Sequence, residues 1–436
     1  MNTASSTLNP TDGFLIRRWG LWDLGFGLLA ALGAAFATQR YAAFMDIYEL
    51  VILWCCVPAA VLLGYFWAAL RPFFIGCAAA SILAVAMYGG TAASAESNFL
   101  LKYFLASQSA ILWMCALFAF ATVSYWVGLF AQGQTALWMG SLLTWSACVM
   151  GSIGLLVRWY ESYLISPDVG HIPVSNLYEV FILFAVITAM FYLYYEGRYK
   201  TRSLGGFVSL IITAAVAFLL WYIVARSGHE IQPLVPALQS WWMKIHVPAN
   251  FVGYGTFSLA AMVGFAYLIK ENAHTTSTWR LAPLFILGVL LCAEPLVFRR
   301  SGLPDYWALY FGFSAAFIGA VIALRRRIGA ALPALEVLDD VMYRAIAVGF
   351  AFFTVATILG ALWAAEAWGT YWQWDPKETW ALIVWLNYAA WLHLRMMKGL
   401  RGQVAAYWSL IGLLITGFAF LGVNMFLSGL HSYGTL

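Results

Sequence analysis

Two kinds of residue in this chain have evident chemical capacity: a run of tryptophans around a charged turn, and a few isolated histidines. The run is Trp368-Gly369-Thr370-Tyr371-Trp372-Gln373-Trp374-Asp375-Pro376-Lys377-Glu378-Thr379-Trp380, in which five of thirteen residues are aromatic. Pro376 removes a backbone donor and biases Asp375 away from helical angles, so the centre of this segment is a loop. It separates two long apolar runs, and Trp and Tyr suit the half-wet surface of a membrane. An ordinary aromatic belt scatters its rings over many helix ends. Four tryptophans in one connecting loop, with charges at its centre, instead make a platform for a large flat ligand.

Only six histidines occur in 436 residues. His246 precedes Val247-Pro248 at the mouth of one apolar run, and His431 follows the last run in Ser428-Gly429-Leu430-His431. Neutral imidazole is a good iron ligand, so this pair beside an aromatic platform suits a metal held from two sides. Taken alone, each is an ordinary interfacial histidine. His393 differs, because it falls inside an apolar run, in Trp391-Leu392-His393-Leu394-Arg395. An ionisable group at membrane depth is a functional candidate by default, against the plainer reading of a hydrogen bond to a neighbouring helix. His171 and His229 read as structural or solvated, and His274 as a solvated loop residue.

These residues need elements to hold them, and the composition says which. With 63% hydrophobic and 10% charged residues and a mean hydropathy of +0.81, the chain cannot be a soluble globular protein. A span needs about 20 apolar residues. Thirteen candidates lie near residues 19–38, 47–70, 73–92, 105–131, 137–157, 177–195, 204–224, 247–269, 281–298, 306–324, 343–365, 380–397 and 405–427. The expected fold is an all-α integral membrane protein, a multispan helical bundle, since only helices satisfy a single chain's backbone in lipid without closing a barrel. No small-residue cleavage site follows the first run, so it is expected to stay as a span.

Positive charge sets the expected orientation. Arg17, Arg18, Arg71, Arg198, Lys200, Arg202, Lys270, Arg280, Arg325 to Arg327, Arg395, Lys398 and Arg401 all fall on one side if the amino terminus is inside and the carboxyl terminus outside. His246, His431 and the tryptophan loop then share the outer face. Lys102, Arg158, Arg226 and the Arg299-Arg300 pair break the pattern. The net charge of +4 is the cationic bias of inner loops and implies no nucleic acid. Cys55, Cys56, Cys77, Cys115, Cys148 and Cys292 all lie in apolar runs without a Cys-x-x-Cys pair, so they read as packing residues.

The form Trp-Gly-x-Tyr-Trp-x-Trp-Asp-Pro-Lys-Glu-Thr-Trp resembles the tryptophan-rich "WWD" loop of haem-handling proteins, in the version of the CcsA (ResC-type) cytochrome c biogenesis proteins. The segment from Pro173 to Glu179 is similar to that family's Pro-x-x-Asn-x-Tyr-Glu element, and Pro233 to Trp242 leads to His246 in the same manner. The resemblance is strongest over 332–436 and good over about 170–270. The spans near 281–298 and 306–324 look like additions, and the first hundred residues match loosely. The expected division is an amino-terminal transmembrane region, 1–160, and a core, 161–436, with the loop at 366–380. A faint internal echo joins Asp46-Ile47-Tyr48-Glu49 to Asn176-Leu177-Tyr178-Glu179.

The resemblance implies that His246 and His431 are axial ligands of haem b on the outer face. His393 would be an inner haem ligand whose second histidine comes from a CcsB/ResB-type membrane partner. Trp368, Tyr371, Trp372, Trp374 and Trp380 would contact haem, and Lys377 would meet a propionate; Asp375, also placed at the haem site, and Glu378 either meet propionates or, more simply, cap the next helix. The substrate would be an apocytochrome c with Cys-x-x-Cys-His, with thiol-reducing membrane proteins as further partners. The chain would then be a subunit of a holocytochrome c synthase, with no catalytic residue assigned. A bacterial inner membrane is expected rather than a thylakoid, since no transit peptide is read at the amino terminus. Two other classes compete with this reading: a haem exporter without attachment activity, and an electron-transferring b-type cytochrome. The latter needs paired histidines within spans, and only His393 is so placed.

Overall fold

The computed structural model describes residues 19–297, 304–427 and 429, and among these there are no strands. A long helix lies over each expected span: α1 (Leu21–Tyr41), α2 (Ile47–Phe66), α3 (Leu70–Tyr88), α4 (Ser107–Ala131), α5 (Gln134–Ile165), α6 (Leu177–Tyr199), α7 (Gly205–Arg226), α8 (Met243–Glu271), α9 (Thr278–Val297), α10 (Pro304–Ala323), α11 (Leu335–Trp368), α12 (Pro376–Lys398) and α13 (Gly402–Gly417). The chain is an all-α, multispan membrane protein. Among the described residues ten helices are long and apolar enough to cross a bilayer, and an eleventh qualifies if α10 is joined to the short helix Arg325–Ala331, bent from it by 66°. Among the described residues this is two or three fewer than the thirteen expected. Of the remaining long helices, α12 is diluted by Trp, Tyr, Asn, His393 and Arg395.

Local chemistry sets the helix starts. Asp46 accepts from the Glu49 amide at 2.7 Å and Glu49 accepts from the Asp46 amide at 2.9 Å, closing a capping box on α2. Asn176 and Glu179 do the same for α6. The echo between these two segments is thus a shared way of starting a helix.

The chain divides into two units, Met1–Gly76 and Cys77–Leu436, with the boundary inside α3. In the first, Arg71 pairs with Asp23 and donates to the Gly64 carbonyl at 2.9 Å. In the second, α8 is central: nearly every residue from Val247 to Ile269 is buried, against α11, α13, α6 and α7. Small residues let these helices approach, as membrane packing requires. Far from the tryptophan loop, Arg395 grips Asp339 through two bonds of 2.9 and 2.5 Å, fastening the end of α12 to the start of α11.

Candidate functional site

At the end of the second unit where α6, α8 and α12 begin and α7 and α11 finish, the helices diverge around a cavity of about 500 Å³. Its walls include His246 and Asn250 of α8, Gly360 of α11, Tyr371 and Trp372 of the tryptophan loop, and Lys377 and Glu378 of α12. Near its end α13 widens into a π turn over Phe418–Gly422, and Phe420 and Asn424 from this stretch complete the lining. Such widened turns recur at functional sites.

His246 is positioned from two directions. The backbone before it is held by the end of α11: Trp363 Nε1 donates to the Ala237 carbonyl at 2.9 Å, and Trp242 Nε1 to Glu366 Oε2 at 2.8 Å. The ring itself lies on α11, its Nδ1 2.8 Å from the Ala356 carbonyl. A carbonyl only accepts, so Nδ1 carries the proton and Nε2 keeps its lone pair. Gly360 makes this approach feasible, because a Cβ there would stand 2.7 Å from His246 Cε1. A ring whose far nitrogen is tied to a backbone carbonyl has the support typical of a metal-binding histidine.

The tryptophan loop leaves α11 through Gly369, whose φ of +78° ends the helix in the left-handed conformation glycine tolerates. Trp374 adopts φ +59°, a conformation strained for a bulky side chain. Glu378 Oε2 ties the loop down by accepting from the Gln373 amide at 2.7 Å and the Asp375 amide at 3.2 Å. The five rings do not form one continuous platform. Tyr371 and Trp372 reach the cavity, whereas Trp374 is 68% exposed and meets Trp372 edge-on at 5.9 Å. Trp368 packs on Trp363 at 4.7 Å and Trp380 on Phe418 at 4.3 Å, so these two brace the loop against its helices.

Lys377 lies in the first turn of α12, ahead of its apolar stretch. Burial lowers its ammonium to about 8, while the nearby Asp375 carboxylate acts to raise it. It is the sole cationic side chain of the cavity wall among the described residues.

The walls nearest α6 rest on a buried network that the sequence does not announce. Arg158, one of the charges that broke the orientation pattern, is 3% exposed and donates to Glu179 at 2.8 Å. It also donates to the His229 carbonyl at 2.7 Å and the Glu230 carbonyl at 3.3 Å. Glu179 receives the Ser175 amide and hydroxyl at 3.0 and 2.9 Å. One ion pair therefore joins the loop before α6 to the loop after α7, both of which line the cavity. His171 is a structural member of this network, with Nδ1 2.7 Å from the Val169 carbonyl and Nε2 3.8 Å from Glu179. Burial opposes charging of its ring, but Glu179 and the Val169 carbonyl outweigh this and raise its pKa. The one clue in the sequence was an arginine where orientation disfavours one.

His246 and the loop thus meet in one cavity. His431 lies outside the described residues; Gly429, two residues earlier, packs so closely on the Asp375 carboxylate that a Cβ would not fit. His393 is elsewhere, exposed on the side of α12, about 24 Å along the helix from Lys377 at 1.5 Å per residue.

The profile of the cytochrome C assembly protein family matches residues 174–291 and 304–431. The cytochrome c biogenesis protein CcsA of Chlorella vulgaris is 34% identical over 324 residues, covering 74% of this chain and 95% of the algal protein. CcsA of Guillardia theta is 34% identical over 320 residues, with shares of 72% and 92%. CcsA of Synechococcus elongatus is 32% identical over 322 residues, with shares of 71% and 92%. The matched regions contain the whole wall of the cavity, and on this likeness the chain belongs to the cytochrome c assembly family, among the CcsA-type cytochrome c biogenesis proteins.

Proposed function

We propose that this chain receives haem b within the membrane and presents it at the outer face for covalent attachment to an apocytochrome c carrying Cys-x-x-Cys-His. The observation that carries this reading is His246, whose lone-pair nitrogen belongs to a cavity closed by Tyr371 and Trp372. A volume of about 500 Å³ lies within the roughly 300–1,000 Å³ of cofactor-sized sites. Its lining suits a flat apolar ring with acidic edges: mostly apolar side chains, with Lys377 available to a propionate.

Haem supplies the vinyl groups. Each cysteine thiol adds across one of them, its sulfur bonding one carbon and its proton ending on the other. The chain's part is to hold the ring while this occurs. His246 and His431 are the axial ligands, and Tyr371 and Trp372 contact the ring, with Trp374 covering its exposed side. Trp368 and Trp380 brace the loop, and Asp375 and Glu378 fix its shape. His393 is the inner ligand. Its exposure on α12 suits a second histidine from a CcsB/ResB-type membrane partner. Thiol-reducing membrane proteins keep the cysteines ready, and the two chains act as a holocytochrome c synthase. The amino terminus is inside and the carboxyl terminus outside, in a bacterial plasma membrane, with the thylakoid as the other setting.

The test replaces either outer histidine. His246→Ala and His431→Ala should leave protein levels near normal and block maturation of a co-expressed cytochrome c. Added imidazole should restore part of it by entering the vacated ligand position. Normal maturation in both variants without imidazole would refute the assignment.

A further inference from the structure

Asn250 lies one helical turn beyond His246 on α8, and its side-chain nitrogen stands 3.0 Å from His246 Nε2. The other side of the ring fixes the polarity of this contact. Nδ1 donates to the Ala356 carbonyl at 2.8 Å, so in the neutral ring Nε2 holds the lone pair, and the Asn250 amide nitrogen facing it donates into it. The amide therefore occupies the lone pair that a metal would use. The two contacts differ in one respect. The Ala356 carbonyl is backbone of α11 and stays where it is, whereas the Asn250 side chain borders the cavity and has room to turn.

We propose that Asn250 is a latch on His246, filling the ligand lone pair whenever haem is not bound and yielding it to haem iron. This rests on the reading of His246 as an axial ligand. The Nδ1 bond persists through the exchange and keeps the ring aimed. The latch weakens the outer site by one neutral hydrogen bond, which suits a protein that must pass its haem on.

Two variants give opposite signs. Asn250→Ala removes the amide that competes for the lone pair, and haem titrated into the purified full-length protein should bind about fivefold tighter, the worth of one neutral hydrogen bond. Asn250→Leu, closer in volume, serves if the alanine variant is poorly produced. In Asn250→Asp the carboxylate only accepts, so it favours a ring protonated at both nitrogens. No lone pair then remains, and binding should weaken about tenfold or more. A readout without haem is the rate at which diethyl pyrocarbonate modifies His246, which should rise in Asn250→Ala. Unchanged affinity together with unchanged modification would overturn the latch. His246→Ala separates the two ideas: if it leaves haem binding and spectrum as in the parent, the ligand reading has failed and the latch with it. If His246→Ala loses the ligand while both Asn250 variants bind as the parent does, the latch alone is wrong.

Discussion

A methyl group added at Gly360 would stand 2.7 Å from Cε1 and 3.1 Å from Nδ1 of His246. To restore a contact of 3.4 Å the ring must retreat by about 0.7 Å, and it cannot do so while keeping its 2.8 Å bond to the Ala356 carbonyl in line. Two stability terms then oppose one another. Alanine is favoured over glycine inside a helix by about 0.5–1 kcal/mol, and losing one neutral hydrogen bond costs about 0.5–1.5 kcal/mol. Gly360→Ala should therefore unfold within a few degrees of the parent in detergent. Ligation responds differently, because a shift approaching 1 Å in a positioned group costs on the order of tenfold to a hundredfold. The variant should bind haem at least about tenfold more weakly in a spectral titration and mature correspondingly less cytochrome c. Haem affinity and maturation equal to the parent would show that the seat of His246 on α11 does not matter, and the positioning argument would fall.

Arg158→Met should destabilise the second unit by about 3–5 kcal/mol, since Glu179 would be left as a buried charge without its partner; thermal unfolding in detergent would report it, and a parent-like melting temperature would refute the network. Lys377 is charged below about 8 and neutral above it, so haem affinity should fall as pH rises through that value, and Lys377→Met should bind more weakly and lose the dependence. A pH profile identical in both proteins would remove Lys377 from the site. His393→Ala should leave stability unchanged, because its side chain is exposed and none of its hydrogen bonds is seen among the described residues, yet haem copurifying with the partner complex should drop. Full haem content in that variant would reduce His393 to a surface residue.

The tryptophan loop shows where sequence reasoning reaches and where it stops. That Asp375 and Glu378 mark the start of the next helix follows from chemistry within four residues and is what the structure has, with Pro376 as its first residue. That Trp368 and Trp380 lean on Trp363 and Phe418 while Tyr371 and Trp372 turn to the cavity does not follow, because α11, α12 and α13 set it together. Likewise helix position is written in apolar runs, but whether a helix such as α12 can span also depends on its polar content.

By itself the sequence determined the all-α membrane class, the place of every long helix, the loop and the histidines worth following. These depend on hydropathy over about 20 residues and on caps within a single turn. Only the tertiary structure decided which nitrogen of His246 carries the proton, why position 360 is glycine and what Arg158 does in an otherwise apolar neighbourhood. Those contacts join residues 110 apart for His246 and Ala356, and 21 and 71 apart for Arg158 with Glu179 and His229. No local pattern encodes such pairings; they exist once the helices have packed, when burial leaves each polar group either partnered or costly.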